Sequence, residues 1–443
     1  MLWTLRSSRT WSLPCRSTRR SFSFTPNPRL PRFADGSLPK APLFREEVAK
    51  AKPLPSFTEA VRKPPIRNQV LFVAAGTVGA LVVGAHLTNY ELFKWWAYLR
   101  ASPQGGYDKS RPPTSEELAR IKYFTFGRHL QTGLANLKSS VDQLPETMKA
   151  VISWSYVQVF QPILNATEGK RMCWAIGAVN VAVWVAWRIP RWGPVMLRSF
   201  AHNPLSGRSY TLFTSMFSHE NFFHLLFNCM ALASFGAAAS QQLIAQFKKV
   251  EQEHGALSEP SPKWHLLALF ISAGLFSGLV SHIGHTRWQY PRLIARLRNA
   301  TPTTSTSSSF SLKSSASTAL TKADPALAAA GKAATEGTSS LGSSGAIYAL
   351  FAITALGYPD AEITLVIPPY FPINIQTGFF ALVAIDTLGV LRGWRFLDHF
   401  AHLGGALFGA FWYKYGAEIW FSIRLWDLPA AFYLHGHGLS LRQ

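Results

Sequence analysis

Apolar runs recur along this chain at lengths that suit a lipid bilayer, and no other feature restricts its fold as much. The first, VLFVAAGTVGALVVGAHLT, is Val70–Thr88, with His86 as its sole ionisable group. At about 1.5 Å per residue in a helix, it nearly matches a hydrocarbon layer of roughly 30 Å. Six more apolar stretches follow: Met172–Trp187, Phe222–Ser240, His265–His282, Gly345–Gly357, Ile375–Leu391 and Phe396–Tyr413. Several are shorter than the roughly 18–20 residues of an ordinary span, which suits a bundle that thins the bilayer or encloses water. Only 15% of the 443 residues are charged, against about 25% in soluble domains, so a soluble helical core is disfavoured. The pattern predicts an all-α polytopic membrane protein, with one early transmembrane helix and a bundle of six.

The remaining segments divide around these runs. Residues 1–35 are rich in Arg and Ser and carry no acid before Asp35, the composition of a mitochondrial transit peptide. Residues 36–69 read as a linker, 70–88 as the extra transmembrane helix and 89–171 as an aqueous linker region with amphipathic pieces such as SEELARIKYFTFGRHLQTGLANL. The bundle occupies 172–415 and a C-terminal tail 416–443. Within the bundle, residues 301–340 are dominated by Ser, Thr, Ala and Gly. Such a composition buries too little apolar area to offset ordering, and predicts a flexible loop.

The net charge of +21 raises the question of nucleic acid. No zinc finger, RNP-type aromatic motif or groove-spaced basic helix is present, so nucleic acid is not expected as a partner. Cys15, Cys173 and Cys229 form no CxxC pair, which argues against a zinc site or a disulfide framework. Loop charge instead indicates orientation. Arg188, Arg191, Arg198 and Arg208 follow the first bundle helix, Arg287, Arg292, Arg296 and Arg298 the third, and Arg392 and Arg395 the fifth. The positive-inside rule assigns these loops, and with them the N-terminus, to the interior face. With a transit peptide at the start, that interior is the mitochondrial matrix, and the protein is expected in the inner membrane.

Ionisable and polar groups inside membrane helices are costly and are candidates for function. They concentrate in three of the helices. His224 and Asn228 share one face of the second bundle helix; Ser344 and Tyr348 share one face of the fourth; His402 shares a face of the sixth with Gly405 and Gly409. Taken singly, each has a plain structural reading: a helix–helix hydrogen bond for His or Asn, a helix cap for Ser. Together they suggest chemistry. Glycine faces let helix backbones approach closely, and Gly345 lies on a small stripe of the fourth helix. Ser344 and His402 would then meet as nucleophile and base. His224 and Asn228 would offer donors to a developing oxyanion. GSSGA is not the nucleophile elbow G-x-S-x-G, and Ser343 is expected to be the cap. Asp398 reads as a cap or structural residue, while Asp386 lies mid-helix with a partner that periodicity does not identify.

HLLFN (His224–Asn228), GSSGAIYA (Gly342–Ala349) and AHLGGALFG (Ala401–Gly409) occur in that order on three hydrophobic helices. Over about residues 170–415 the chain resembles the rhomboid intramembrane serine proteases, specifically the mitochondrial type with one extra N-terminal helix. The resemblance implies a six-helix rhomboid bundle with one added helix (1+6). It implies Ser344 as nucleophile and His402 as general base in a dyad without a third acid. It implies an oxyanion hole from His224, Asn228 and the Ser344 amide, with Tyr348 packed on the His402 ring. Gly342, Gly345, Gly405 and Gly409 are its supporting positions. The substrates it implies are single-span membrane proteins cut in or near the bilayer, with no metal or cofactor. Two features depart from the family pattern: Gln241 and Gln242 stand where many relatives have Glu, and the 301–340 loop is long. The alternative is a catalytically inactive rhomboid-like binder of membrane clients. A solute transporter would be expected to show internal repeats, and none is evident.

Overall fold

The computed structural model of the protein describes residues 64–101, 111–219, 221–254, 257–292, 294–295, 342–364, 371–394 and 396–428. The transit peptide at 1–35, the loop at 301–340, most of the 36–69 linker and the end of the tail lie outside them.

The described residues are mainly helical. In chain order the main helices are α1 (Arg67–Ala101), α2 (Ser115–Ser140), α3 (Glu146–Asn165), α4 (Glu168–Trp187), α5 (Gly193–Phe200), α6 (Phe222–His254), α7 (Lys263–Gly284), α8 (Ser344–Gly357), α9 (Ile375–Arg392) and α10 (His399–Trp426). Local chemistry sets many of their starts. Thr114 and Glu117 close a reciprocal capping box ahead of α2. Asn221, Asn374 and Asp398 accept amide hydrogen bonds at the starts of α6, α9 and α10. A π turn at Leu232–Gly236 interrupts α6 without ending it, and a second, His285–Gln289, extends α7.

Among the described residues, four helices can by length and composition cross a membrane: Arg67–Ala101, Phe222–His254, Lys263–Arg292 and Ile375–Arg392. A fifth is possible if Glu168–Trp187 and Pro190–Phe200, which meet at 94°, are one bent span. The sequence expectation was seven. One part of the difference is α10, which is not among these spans; another is α8, which has only 14 residues and is enclosed by protein along almost its whole length. Such a helix needs no full-length lipid-facing stretch. It packs against α6, α7, α9 and α10, and its closest partner is α10. Leu350, Ile353, Ala349 and Trp412 belong to one continuous core with residues of α1, α6 and α7.

Three sequence boundaries need correction. The early helix is 35 residues long, extending well past Thr88. The 89–171 region, read as an aqueous linker with amphipathic pieces, holds the end of α1 and the helices α2 and α3, and Lys122 of α2 pairs with Glu91 of α1 and Glu168 of α4. The last helix starts at His399 and continues to Trp426, through the start of the expected tail. Its end is held from within, since Trp420 and Arg424 are fully buried. Between α8 and α9 the chain also forms a short antiparallel pair, Glu362–Thr364 with Pro372–Asn374, that hydropathy did not suggest.

Candidate active site

The contact between α8 and α10 is set by residues without side-chain bulk. A Cβ on Gly405 would collide with the Gly345 carbonyl, and one on Gly409 with the Ala349 carbonyl. A Cβ on Gly345 would collide with the Ser277 hydroxyl of α7. The two backbones therefore lie against each other, and side chains at the helix starts can meet.

Ser344 is the first residue of α8. Its Oγ lies 2.9 Å from His402 Nε2. The other ring nitrogen, His402 Nδ1, lies 3.1 Å from Asp386 Oδ1 and 3.2 Å from Oδ2. Asp386 sits in α9 and is buried. The Tyr348 hydroxyl donates to its Oδ2 at 2.6 Å, and His399 Nδ1 meets its Oδ1 at 2.6 Å. Tyr348 also stacks on the His402 ring, with centroids 4.3 Å apart and planes at 9°. A carboxylate accepting at Nδ1 fixes the proton there and leaves Nε2 free to accept from the Ser344 hydroxyl.

The sequence expectation was a dyad without a third acid; the structure places an acid, Asp386, beside Nδ1 of the histidine. Asp398 instead caps α10 by accepting from the Ala401 amide at 3.1 Å, and its other oxygen accepts from Ser281 at 2.6 Å.

Ser343 occupies the cap position of α8, but its hydroxyl makes no capping bond. It turns into a polar cluster instead, 3.5 Å from Asn180 Nδ2, 3.4 Å from His219 Nε2 and 3.4 Å from Asn228 Oδ1. Asn228 Nδ2 donates to the His224 carbonyl at 2.7 Å. His224 faces His219, with ring centroids 5.1 Å apart. Its ring also lies over Gly342, where φ is +119° and a Cβ would sit 2.9 Å from His224 Cε1. Both the dihedral and the space require glycine there. His224 and Asn228 thus gather beside the two residues preceding Ser344, and the recorded bonds of Asn228 go to Ser343 and to its own helix. Because Ser344 opens α8, the first amides of the helix have no intrahelical acceptor.

Asn180, Asp386 and His399 are polar residues of this region to which the sequence reading assigned no catalytic role. Asn180 is an amide inside an apolar run, a signal present in the sequence. Asp386 carried the same signal, but its partners come from α8 and α10, which only tertiary structure brings together.

Comparison with known proteins gives a consistent result. A profile described as Rhomboid domain matches residues 206–295 and 306–418. The human presenilin-associated rhomboid-like protein, mitochondrial, is 28% identical over 258 residues, 58% of this chain and 51% of that protein. The zebrafish (Danio rerio) presenilin-associated rhomboid-like protein A, mitochondrial, is 28% identical over 254 residues, 57% of this chain and 50% of its own length. Rhomboid protein 1, mitochondrial, of Saccharomyces cerevisiae is 25% identical over 250 residues, 56% of this chain and 54% of its own length. The chain spans about half the length of the curated relatives it matches. A helical membrane bundle, a matching domain profile and relatives whose names share the word rhomboid converge on one conclusion: residues 206–295 and 306–418 of this chain carry a Rhomboid domain.

Proposed function

We propose that this protein is a serine endopeptidase that hydrolyses peptide bonds in or near the transmembrane segments of other membrane proteins. The observation that carries this reading is the Ser344 Oγ–His402 Nε2 contact of 2.9 Å, backed by Asp386 at Nδ1. In the proposed reaction His402 removes the Ser344 proton as Oγ attacks the scissile carbonyl. The Ser344 amide, with His224 and Asn228 after rotation of their side chains, stabilises the oxyanion. His402 then protonates the departing amine, and water cleaves the acyl-enzyme by the reverse sequence. No step calls for a metal or cofactor.

The names of the relatives and the Arg-rich N-terminus support placement in a mitochondrial membrane. Loop charge supports an inner-membrane orientation with the N-terminus in the matrix. Single-span proteins are the proposed substrates. Purified protein in liposomes is expected to cleave such a substrate and to be labelled at Ser344 by a fluorophosphonate probe. Ser344→Ala is expected to lose both. Cleavage that survives the substitution sinks the assignment; a folded wild-type chain that neither labels nor cleaves indicates the client-binding alternative.

A further inference from the structure

A cavity of about 540 Å³ opens at the other end of α7 from the site, among α1, α2, α4 and α7. Gly345 packs at Ser277, whereas the cavity is lined by Lys263 and Trp264. Fourteen residues separate Lys263 from Ser277 along α7, a rise of about 21 Å.

The walls of this cavity carry more positive than negative charge. Lys94, Lys122, Arg171 and Lys263 face two carboxylates, Glu91 and Glu168. Lys122 pairs with both, at 2.5 Å and 2.7 Å, and Lys263 pairs with Glu91 at 3.0 Å. The carboxylates are therefore already engaged by these two lysines. Arg171 reaches Glu168 only at 3.8 Å, and its Nε is buried with no hydrogen-bond partner. Lys94 has no ion pair among the described residues and is exposed. Among those residues Lys94 is thus unpaired, and Arg171, whose guanidinium also lies 4.9 Å over the Phe126 ring, keeps one donor unanswered.

The surroundings are those of a membrane interface. Trp95 and Trp264 line the cavity at the ends of two helices apolar enough to span a bilayer, where indole rings commonly mark headgroup depth. The apolar surface of α1 runs out from the cavity: Tyr90 lines it and is exposed, and Val83, on the same face of α1 as Leu87 and Tyr90, is exposed as well. A soluble phosphate compound would leave those apolar side chains uncovered; a lipid would cover them with its chains.

We propose that this cavity binds the phosphate group of an anionic phospholipid, with Lys94 and Arg171 as its ligands and the acyl chains lying against exposed apolar side chains beside it. Lys122 and Lys263 hold Glu91 and Glu168, which leaves Lys94 without a carboxylate and Arg171 with Glu168 only at 3.8 Å. The site is separate from Ser344 and does not depend on proteolysis.

The test uses the full chain, purified in mild detergent, with bound lipid counted by native mass spectrometry after titration with phosphatidylglycerol, phosphatidylcholine or soluble glycerol 3-phosphate. Phosphatidylglycerol is expected to be retained preferentially. Lys94→Gln is expected to weaken that retention about fivefold, and Lys94→Gln with Arg171→Gln about twenty-five-fold, from roughly 1 kcal/mol per basic residue near an anionic surface. Lys94 breaks no recorded ion pair, so the single variant tests the site even if the double variant folds poorly. Lys414→Gln, outside the cavity, is expected to bind like wild type. Equal retention of both lipids, unchanged retention in Lys94→Gln, or glycerol 3-phosphate binding as tightly as the lipid would each overturn the proposal.

Discussion

Asp386 is the residue at which the proposed chemistry is most directly tested. A carboxylate within an apolar helix is expensive unless its lone pairs are used, and here Tyr348, His399 and His402 all converge on it. An amide at this position could present its NH₂ to Nδ1 and favour the tautomer with the proton on Nε2, where it blocks acceptance from Ser344. Asp386→Asn is therefore expected to reduce kcat by up to about 10⁴-fold with KM little changed, measured on a single-span substrate in liposomes. A two-residue mechanism predicts nearly full activity instead. Ser344, His402 and Tyr348 were legible from spacing because each pattern lies within one helix. The acid was not, because its placement depends on how α9 packs beside α8 and α10. The cap expected of Ser343 failed for a related reason: neighbours from α4, α6 and the segment before α6 draw its hydroxyl away from the α8 amides.

At the scale of elements, the catalytic distance is a consequence of helix packing. α8 and α10 touch through Gly405 and Gly409, where backbone atoms of Gly345 and Ala349 fill the space a side chain would need. Gly405→Val is expected to push the helices apart, lower stability by about 1–3 kcal/mol and reduce fluorophosphonate labelling more than it lowers the unfolding temperature would explain. Thermal unfolding and labelling measured on the same sample check both parts. The glycine faces were visible as periodic small residues on two helices. Helix lengths were less visible. Hydropathy ends the last helix near Tyr413, yet it continues because Trp420 and Arg424 find buried partners that a lipid-facing helix would lack: Trp420 Nε1 donates to Glu259, and Arg424 donates to Asn89 and to the Ser258 carbonyl.

Across the whole molecule, the membrane bundle is tied together at the end remote from Ser344 by charge. Glu259, in the turn between α6 and α7, is enclosed there, and burial pushes its carboxyl up to about 7 despite the nearby Arg424 guanidinium. A raised folded-state value means that the folded protein holds the proton more tightly than the unfolded chain. Its contribution to stability is full below about 4.5, falls as pH rises toward 7 and is then lost. The difference between pH 4.5 and pH 8 is of order 3 kcal/mol, and Glu259→Gln is expected to flatten it. Chemical unfolding of both proteins across that range is the measurement; parallel curves would show that Glu259 is not the group involved.

The N-terminal helix takes part in that same tie. Asn89 exchanges hydrogen bonds with Arg424, Glu91 accepts from Trp264, and the Pro65 carbonyl just ahead of α1 accepts from His282 near the other end of α7. A helix fastened at both ends acts as a clasp on the bundle, and a chain shortened past Asn89 would lose the acceptor that the buried Arg424 guanidinium uses on α1.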